Sequence, residues 1–407
     1  MVPECWEKHP VGKICSSIVP GRNKPKVFDG NIPWVTTPEI HGRYIPSKLQ
    51  VNYVSEEALR EAGGKIVPPG AVIMAAVGDL GLVAISSESV VLNQQLHAFV
   101  CSEIINNEYL AYWLTTQKPY MESVASKTTI PYMNKANCES IPVIVPPLPE
   151  QKKIAQILST WDKAITATEQ LLANSQQQKK ALMQQLLTGK KRLLDKNGVR
   201  FSREWKVSNL SKLFERVTTK NNRQSTNVVT ISGQHGLIRQ EDFFKKTVAS
   251  ENLDDYFLLK RGQFAYNKSY SNGYPMGAIK RLNRYADGVV TTLYICFELS
   301  GGIKADSSYW EHYFESGLLN KGLSQIAHEG GRAHGLLNVK PSDFFSLKVP
   351  VPSFEEQQRI ASVLTAADKE IAALQQNLDA IKREKTALMQ LLLTGKRRVI
   401  IDDKGVA

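Results

Sequence analysis

Two short motifs of this chain approach the loop with which amino-group DNA methyltransferases hold a target amine, and both lack residues that the chemistry needs. Residues 31–34 read Asn-Ile-Pro-Trp, with Ile32 at the first of the two required prolines, and residues 129–132 depart from the pattern at two positions. No glycine-rich turn for a methyl donor accompanies either motif. We therefore do not expect this chain to transfer methyl groups.

Patterns for phosphate binding, hydrolysis and metal binding are also incomplete. Gly189-Lys190 and Gly395-Lys396 lack the upstream glycine and the following Ser or Thr of a phosphate-binding loop. Residues 150–152 resemble the end of a nuclease site, but no Pro-Asp precedes them at strand spacing. The seven histidines are scattered and the five cysteines form no Cys-x-x-Cys pair. We expect no catalytic residue, no metal site and no cofactor.

The strongest feature of the sequence is a long segment that occurs twice, and such a repeat determines the architecture. Residues 150–192 and 356–398 lie 206 positions apart, align without a gap and are identical at 22 of 43 positions. Prolines precede each copy, and Thr-Gly at 188–189 or 394–395 is expected to end its helix, so each copy is expected to form one long helix up to that point. The segments before the copies match faintly, beginning at Trp6 and Trp205. The chain is thus expected to consist of two similar halves.

Each copy carries a mainly apolar seam whose positions step by alternating threes and fours, the 3.5-residue period of a coiled coil. A lone helix of this kind leaves its seam exposed, so the two helices are expected to pair, and the connectivity favours an antiparallel pair. The alternative is two surface helices that each fold against their own domain. The predicted seam residues are Ile154, Leu158, Trp161, Ile165, Leu172, Leu182, Leu186, Ile360, Leu364, Ile371, Leu374, Leu378, Ile381, Leu388 and Leu392.

Together these features predict an α+β protein, with two tandem α/β domains separated by two long helices that form an antiparallel coiled coil. The expected intervals are 1–148 for the first domain, 149–198 for the central repeat helix, 199–352 for the second domain and 353–407 for the distal repeat helix. The length of the chain, 407 residues, suits two domains of about 150 residues plus helices.

Charge and composition favour a polyanionic partner inside the cell. The net charge is +12, and residues 199–352 hold 21 Lys and Arg against 14 Asp and Glu, whereas residues 1–148 hold 12 against 13. The odd number of cysteines fits reduced thiols, and the N-terminus lacks the apolar core of a signal peptide. The most apolar stretch, residues 70–86, is too short to cross a bilayer. We therefore expect a cytoplasmic protein that does not bind membranes.

With these elements the sequence resembles the specificity subunits of type I restriction–modification systems. The resemblance covers the whole chain and is carried by residues 141–151 (IPVIVPPLPEQ) and 347–361 (LKVPVPSFEEQQRIA), each leading into a repeat helix, and by Gly-x-Ile-Pro-Trp at 30–34. It implies a non-catalytic subunit whose two target recognition domains each read one half of a split, asymmetric DNA sequence. It also implies that the partners are double-stranded DNA, two methyltransferase subunits docked on the repeated helices, and restriction subunits that translocate and cut DNA. The alternative is a stand-alone sequence-specific DNA-binding or scaffolding protein.

Polar and basic loop residues of both domains are the candidates for DNA contact, because base edges are read by polar side chains and register is set by phosphate contacts. For each of them the alternative is a solvated loop. In the first domain they are Arg22, Asn23, Lys24 and Lys26 for the backbone, Thr36, Thr37, Arg43 and Tyr44 for base edges, and Lys127, Thr128 and Thr129 in the loop that differs between the halves. In the second domain they are Asn221, Asn222, Arg223, Gln234, His235, Arg239, Asn267, Lys268, Tyr270, Asn272, Arg332 and His334.

Overall fold

The computed structural model describes residues 3–21, 23–47, 50–126, 129–233, 235–244, 252–329 and 337–401, except for the side chains of residues 328 and 329. The chain forms two compact units. Unit 1 contains Met1–Glu169 and Asn377–Ala407, and unit 2 contains Gln170–Gln376. The division falls within both long helices, so each unit combines a segment of each helix with one globular part. We call the globular parts head 1 (residues 3–147) and head 2 (residues 187–353).

The elements of unit 1 alternate between short strands and short helices. Its strands are β1 (Glu7–Pro10), β2 (Cys15–Ile18), β3 (Ile32–Val35), β4 (Tyr44–Ile45), β5 (Asn52–Val54), β6 (Ile66–Val67), β7 (Val72–Ala75), β8 (Val83–Ser86), β9 (Val90–Leu92), β10 (Leu96–Cys101) and β11 (Pro142–Val145). Its helices are α1 (Val11–Ile14), α2 (Glu56–Glu61), α3 (Asn107–Thr115), α4 (Lys118–Val124), α5 (Lys135–Glu139) and the first part of the long helix α6 (Leu148–Leu186).

Head 1 is built on a five-stranded sheet, β2-β10-β7-β8-β4, and a four-stranded sheet, β5-β3-β9-β6. Side chains of a strand point alternately to its two faces. In β7, Val72 and Met74 join the cluster that contains α3 and the start of α6, whereas Ile73 and Ala75 join the cluster that also contains side chains of the second sheet. The central strands are therefore apolar on both faces, which explains the continuous apolar run at residues 70–86.

Unit 2 has a similar plan with more two-stranded sheets. Its strands are β12 (Lys206–Asn209), β13 (Phe214–Arg216), β14 (Val229–Ser232), β15 (Gly236–Arg239), β16 (Phe257–Lys260), β17 (Phe264–Asn267), β18 (Ala278–Arg281), β19 (Asp287–Val290), β20 (Ile295–Leu299), β21 (His328–Glu329), β22 (Leu337–Asn338) and β23 (Lys348–Val351). Its helices are α7 (Gln240–Phe244), α8 (Ser307–Glu315), α9 (Asn320–Ile326), α10 (Pro341–Ser346) and the first part of the long helix α11 (Phe354–Leu393).

The central sheet of head 2 has the order β13-β20-β17-β18, and two-stranded sheets β14-β15 and β16-β19 lie beside it. Its core is aromatic: Phe214, Phe264, Phe297 and Phe314 pack edge-to-face, tilted or stacked with ring centroids 5.4–6.0 Å apart. As in head 1, alternate residues of a central strand serve two clusters, since Phe264 joins the aromatic cluster and Ala265 joins the cluster around β14 and β16.

One strand pair in each head ties the start of the head to the start of a long helix. β1 pairs with β11 in antiparallel register (Glu7 opposite Val145), and β12 pairs with β23 in the same way (Lys206 opposite Val351). Because β11 and β23 lead directly into α6 and α11, the tryptophans just before β1 and β12 lie next to the first turns of these helices. The two repeat helices begin at Leu148 and Phe354.

The predicted fold class, α+β with two tandem domains and long repeat helices, is confirmed. Each long helix would measure roughly 58–60 Å at 1.5 Å per residue. No helix in the described part of the chain is long and apolar enough to span a membrane.

His97 is buried in β10 between β2 and β7, with 2% of its surface exposed, and its ring lies 4.8 Å from that of Phe99. Burial lowers the pKa of His97 from 6.5 to about 4, while Glu139 raises it and Lys135 lowers it to smaller extents. Between these two pH values the unfolded chain binds a proton on this residue and the folded chain does not. The free energy of unfolding therefore falls as the pH drops from 6.5 towards 4.

The free energy of unfolding of unit 1 falls between pH 7 and pH 5. We predict that His97→Asn makes this fall smaller by about 2 kcal/mol. Urea unfolding at both pH values, followed by tryptophan fluorescence, measures the difference. His41→Asn is the control, because His41 is exposed. An equal pH dependence in the two variants would contradict the prediction.

Candidate nucleic-acid interface

A buried carboxylate at the start of α11 joins three parts of unit 2. Glu356 is 1% exposed, accepts hydrogen bonds from Arg192 Nε (2.6 Å) and Nη2 (2.8 Å), and accepts a third from the indole nitrogen of Trp205 (2.9 Å). The Arg192 guanidinium lies 5.6 Å from the centre of the Trp205 ring. Arg192 follows the end of α6, Trp205 precedes β12 and Glu356 belongs to α11, so this contact fixes head 2 against both helices.

The same contact occurs in unit 1 with different residues. Glu150 in α6 accepts a hydrogen bond from the indole nitrogen of Trp6 (3.2 Å) and forms an ion pair with Arg398, whose Nε lies 3.0 Å from its Oε2. Gly395, which precedes this arginine, has φ +71°, and a Cβ there would lie 2.3 Å from Pro3. A glycine is required for both reasons. We call each Glu–Arg–Trp set a clasp.

The glutamine after each clasp glutamate attaches the helix to the head. Gln151 accepts a hydrogen bond from the backbone nitrogen of Asn106 (2.7 Å) and donates to the carbonyls of Ile104 (2.9 Å) and Pro146 (2.8 Å). Gln357 likewise accepts from the backbone nitrogen of Asp306 (2.9 Å) and donates to Pro352 (3.0 Å). The backbone groups of Ile104, Asn106 and Asp306 lie in the turns before α3 and α8, so the Glu-Gln pair of each repeat has a structural role.

Within each unit the two helix segments run antiparallel. In unit 1, Lys385 contacts Asp162 at 2.5 Å and Lys382 contacts Glu169 at 2.6 Å, so numbers rise along one helix as they fall along the other. In unit 2, Lys179 pairs with Asp368, and Ser175 donates to Glu370 at 3.1 Å. All fifteen predicted seam residues are buried or half-buried, while most positions between them are exposed.

Arg43, a candidate for base contact, has internal partners in unit 1. Its Nε donates to the carboxylate of Glu108 (2.7 Å), its Nη2 donates to the carbonyl of the same residue (2.8 Å), and its guanidinium lies 3.4 Å from the centre of the Tyr112 ring. Tyr112 in turn donates to Asp162 at 2.5 Å. Burial, followed by this hydrogen bond, raises the pKa of Tyr112. Arg43 therefore links head 1 to the helix pair. Its contact with the edges of DNA bases stays a prediction.

The other candidates of head 1 divide between internal contacts and exposed surface. Thr36 donates its hydroxyl to Glu39 (2.6 Å) in a capping box, and Thr37 donates to Gln95 (3.1 Å). Tyr44 is half-exposed and donates to Glu108 (2.7 Å). The exposed candidates are Asn23, Lys24, Lys26 and Thr129, while Arg22, Lys127 and Thr128 lie outside the described residues.

Three candidates of head 2 form one turn. Asn221 is 1% exposed, and its amide donates to the carbonyl of Ser225 (2.9 Å) and accepts from the nitrogen of that residue (3.0 Å). Asn222 and Arg223 have left-handed φ values of +44° and +62°. Arg223 is exposed, with its Nε 3.1 Å from Asp254. The buried asparagine thus shapes the turn, and the arginine projects from it.

The remaining described candidates of head 2 lie at the two ends of β15 and at or after the end of β17. His235 and Arg239 are exposed, as are Tyr270 and Asn272, while Asn267 caps its own loop by accepting from the nitrogen of Ser269 (3.1 Å). Burial and the neighbouring Arg216 lower the pKa of Lys268. Gln234, Arg332 and His334 lie outside the described residues.

Sequence reasoning missed the clasps, although a signal was present. Glu150 and Glu356, like Arg192 and Arg398, occupy identical positions of the two repeats, and the tryptophans open the two matching segments. It also missed polar residues beside the strands of head 2, notably Thr226, Asn227 and Gln240, which line a concave surface with Arg239. No cluster of three or more potential metal ligands occurs among the residues that the structure describes.

Comparison with known proteins identifies the family. The model of the type I restriction modification DNA specificity domain matches the chain twice, over residues 3–175 and 202–383. The chain belongs to this family. It is 23% identical to the MjaVIII specificity subunit of a type I restriction enzyme from Methanocaldococcus jannaschii, over 98% of this chain and 94% of that protein. The resemblance inferred from the sequence is confirmed.

Solved structures of specificity subunits share the fold. The S subunit from M. genitalium has a TM-score of 0.57 at 13% identity, with 98% of this chain and 97% of that chain covered. The HsdS subunit from Thermoanaerobacter tengcongensis has a TM-score of 0.50 at 16% identity, with 97% and 98% covered.

We predict that Glu356→Gln lowers the free energy of unfolding of unit 2 of this specificity-domain protein by about 3 kcal/mol, because it leaves the Arg192 guanidinium without its buried counter-charge. The neighbouring Glu355→Gln is the control: its ion pair with Lys304 (3.6 Å) joins two exposed side chains, so the change stays within about 0.5 kcal/mol. Urea unfolding of the full chain measures both. Equal losses in the two variants would show that the clasp does not stabilise the fold.

Proposed function

We propose that this chain is the DNA sequence-specificity subunit of a type I restriction–modification enzyme. Each head reads one half of a split, asymmetric DNA sequence, and the paired helices dock two methyltransferase subunits, which restriction subunits then join. The observation that carries the proposal is the double match of the specificity-domain family, one match for each globular part with its repeat helix. The chemistry belongs to the partner subunits, so the chain itself is a non-catalytic protein that acts with them in the cytoplasm.

Differences between the heads support an asymmetric target. Head 2 carries the basic charge, whereas residues 1–148 have nearly balanced charges. Two surfaces of different charge are suited to two different half-sites.

An apolar groove on the helices of unit 1 supports the docking of a protein subunit. The groove has a volume of about 730 Å³ and is lined by Ile157, Trp161, Leu388 and Leu391, with Leu391 39% exposed. Polar residues also line the groove, among them Lys153, Glu384 and Arg397. Exposed apolar patches with a polar rim are typical of protein interfaces.

Coexpression of this chain with the methyltransferase subunit of its own system tests the proposal. We expect both proteins to purify as one complex, and sequencing of modified bases in host DNA to show methylated adenines in one split, asymmetric motif. The same motif should disappear when this gene alone is deleted. A chain that binds one DNA sequence but neither captures a methyltransferase nor directs methylation would be the stand-alone DNA-binding protein of the alternative.

The spacing between half-sites gives a second prediction. Inserting four residues at the same heptad position of α6 and α11, near residues 170 and 376, adds about 6 Å to each helix. We expect the unread spacer of the methylated motif to lengthen by one or two base pairs, since the helices set the distance between the reading heads. The control substitutes four exposed residues there without changing the length. An unchanged spacer would show that the helices do not determine the distance.

A further inference from the structure

A polar ridge crosses the surface of head 2. It comprises residues 221–228 and separates two concave surfaces of about 430 Å³ and 350 Å³. Arg223 lines the first together with Asp254, and Arg239, Asn227 and Gln240 line the second. Thr226 lines both. Arginine and carboxamide side chains are those that read guanine and adenine edges in the major groove.

The backbone of the ridge is held in an unusual conformation. Asn222 and Arg223 are consecutive non-glycine residues with left-handed φ values, a region that an arginine rarely occupies. The turn is fixed from below by the buried amide of Asn221 and by backbone hydrogen bonds from Asn221 to Tyr256 (2.9 Å) and from Asn222 to Asp254 (3.3 Å). Such conformations persist where the surroundings impose them and are concentrated at functional sites.

Asp254 fixes the direction of the Arg223 side chain. The carboxylate lies 3.1 Å from Nε and is 33% exposed, whereas the arginine side chain is 87% exposed. An anchor at Nε leaves the two terminal nitrogens pointing away from it as a fork, which matches the O6 and N7 acceptors of guanine. The nearby negative charge also weakens a purely electrostatic attraction to phosphate, so the geometry favours a base over the DNA backbone.

A second arginine, Arg239, lies beside the ridge and also has internal partners. Arg239 donates from Nε to the side-chain oxygen of Asn227 (3.2 Å), and its guanidinium lies 5.5 Å from the centre of the Tyr285 ring. Gln240 lines the same surface, and within the described residues its buried side-chain oxygen has no hydrogen-bond partner. Both sides of the ridge therefore present polar groups on a fixed scaffold, as base reading requires.

We propose that this ridge is the base-reading surface of head 2, that it enters the major groove of duplex DNA, and that Arg223 specifies a guanine of one half-site. The inference rests on the proposed function, since the DNA is the target of the specificity subunit. Asn221 and Asp254 are positioning residues, which act by directing Arg223.

The test compares Arg223→Lys and Arg223→Ala in the complex with the methyltransferase subunit, with the methylated motif read by sequencing of modified bases. Lysine keeps the charge but loses the fork, so both variants should relax the same guanine position, with discrimination falling about ten- to a hundredfold. All other positions, including the other half-site, should stay unchanged. Asp254→Asn should relax the same position to a smaller extent. Arg200→Lys, an exposed arginine of the same unit outside the ridge, should leave the motif intact.

The outcomes separate this inference from the proposed function. An unaltered motif in both Arg223 variants, or a wild-type half-site without guanine, overturns the inference and leaves the specificity function standing. If Arg223→Ala abolishes methylation, Arg223→Lys retains it and no position of the motif is relaxed, then Arg223 contacts a phosphate. That result also overturns the inference. If the wild-type complex methylates no defined motif, the proposed function fails. Circular dichroism and copurification confirm that each variant is folded, and Arg223→Lys decides the matter should Arg223→Ala not fold.

Discussion

The apolar seams of the two long helices impose the main constraint on this architecture. Most of the stability of an amphipathic helix in a protein comes from packing of its apolar face, so each seam must be covered. In each unit a segment of α6 and a segment of α11 cover each other's seam in antiparallel order. The clasps then place the tryptophan of a head, the start of one helix and the arginine after the other helix around a single buried carboxylate. Each head is therefore fixed to the helix pair rather than to one helix.

The polar contacts along the helices explain why the seam contains lysine. Lys179 and Lys385 occupy the same seam position in the two repeats, and each pairs with the aspartate of the other helix. A charged group at a seam position costs stability but selects one register and orientation, because any other register leaves it without a partner. The same two aspartates also contact Tyr112 and His312 in the heads. The register of the helices and the position of each head on them therefore depend on the same residues.

Much of the fold could be predicted from the sequence because its main signals are periodic or repeated. The heptad spacing predicted the long helices, and the repeat predicted two similar units. The candidate site was harder, since the partners of a loop residue lie far away in sequence. Arg43 and Asn221 illustrate this difficulty. Glu108 is 65 positions from Arg43, and the polar side chain of Asn221 is buried to satisfy the backbone of its own turn. Spacing carries no information about such contacts.

The residues that make the contacts shared by both units differ from the residues that hold the turn found only in unit 2. The clasps and the glutamines that follow them appear twice and hold a head to the helices, and the lysine–aspartate pairs, which also appear twice, hold the two helices together. The turn at Asn222 and Arg223 is held by Asn221 and Asp254, and neither residue takes part in a clasp. A change in this turn therefore need not disturb the contacts that seat the head. This separation allows the surface of a head to differ from that of the other while the same helices support both.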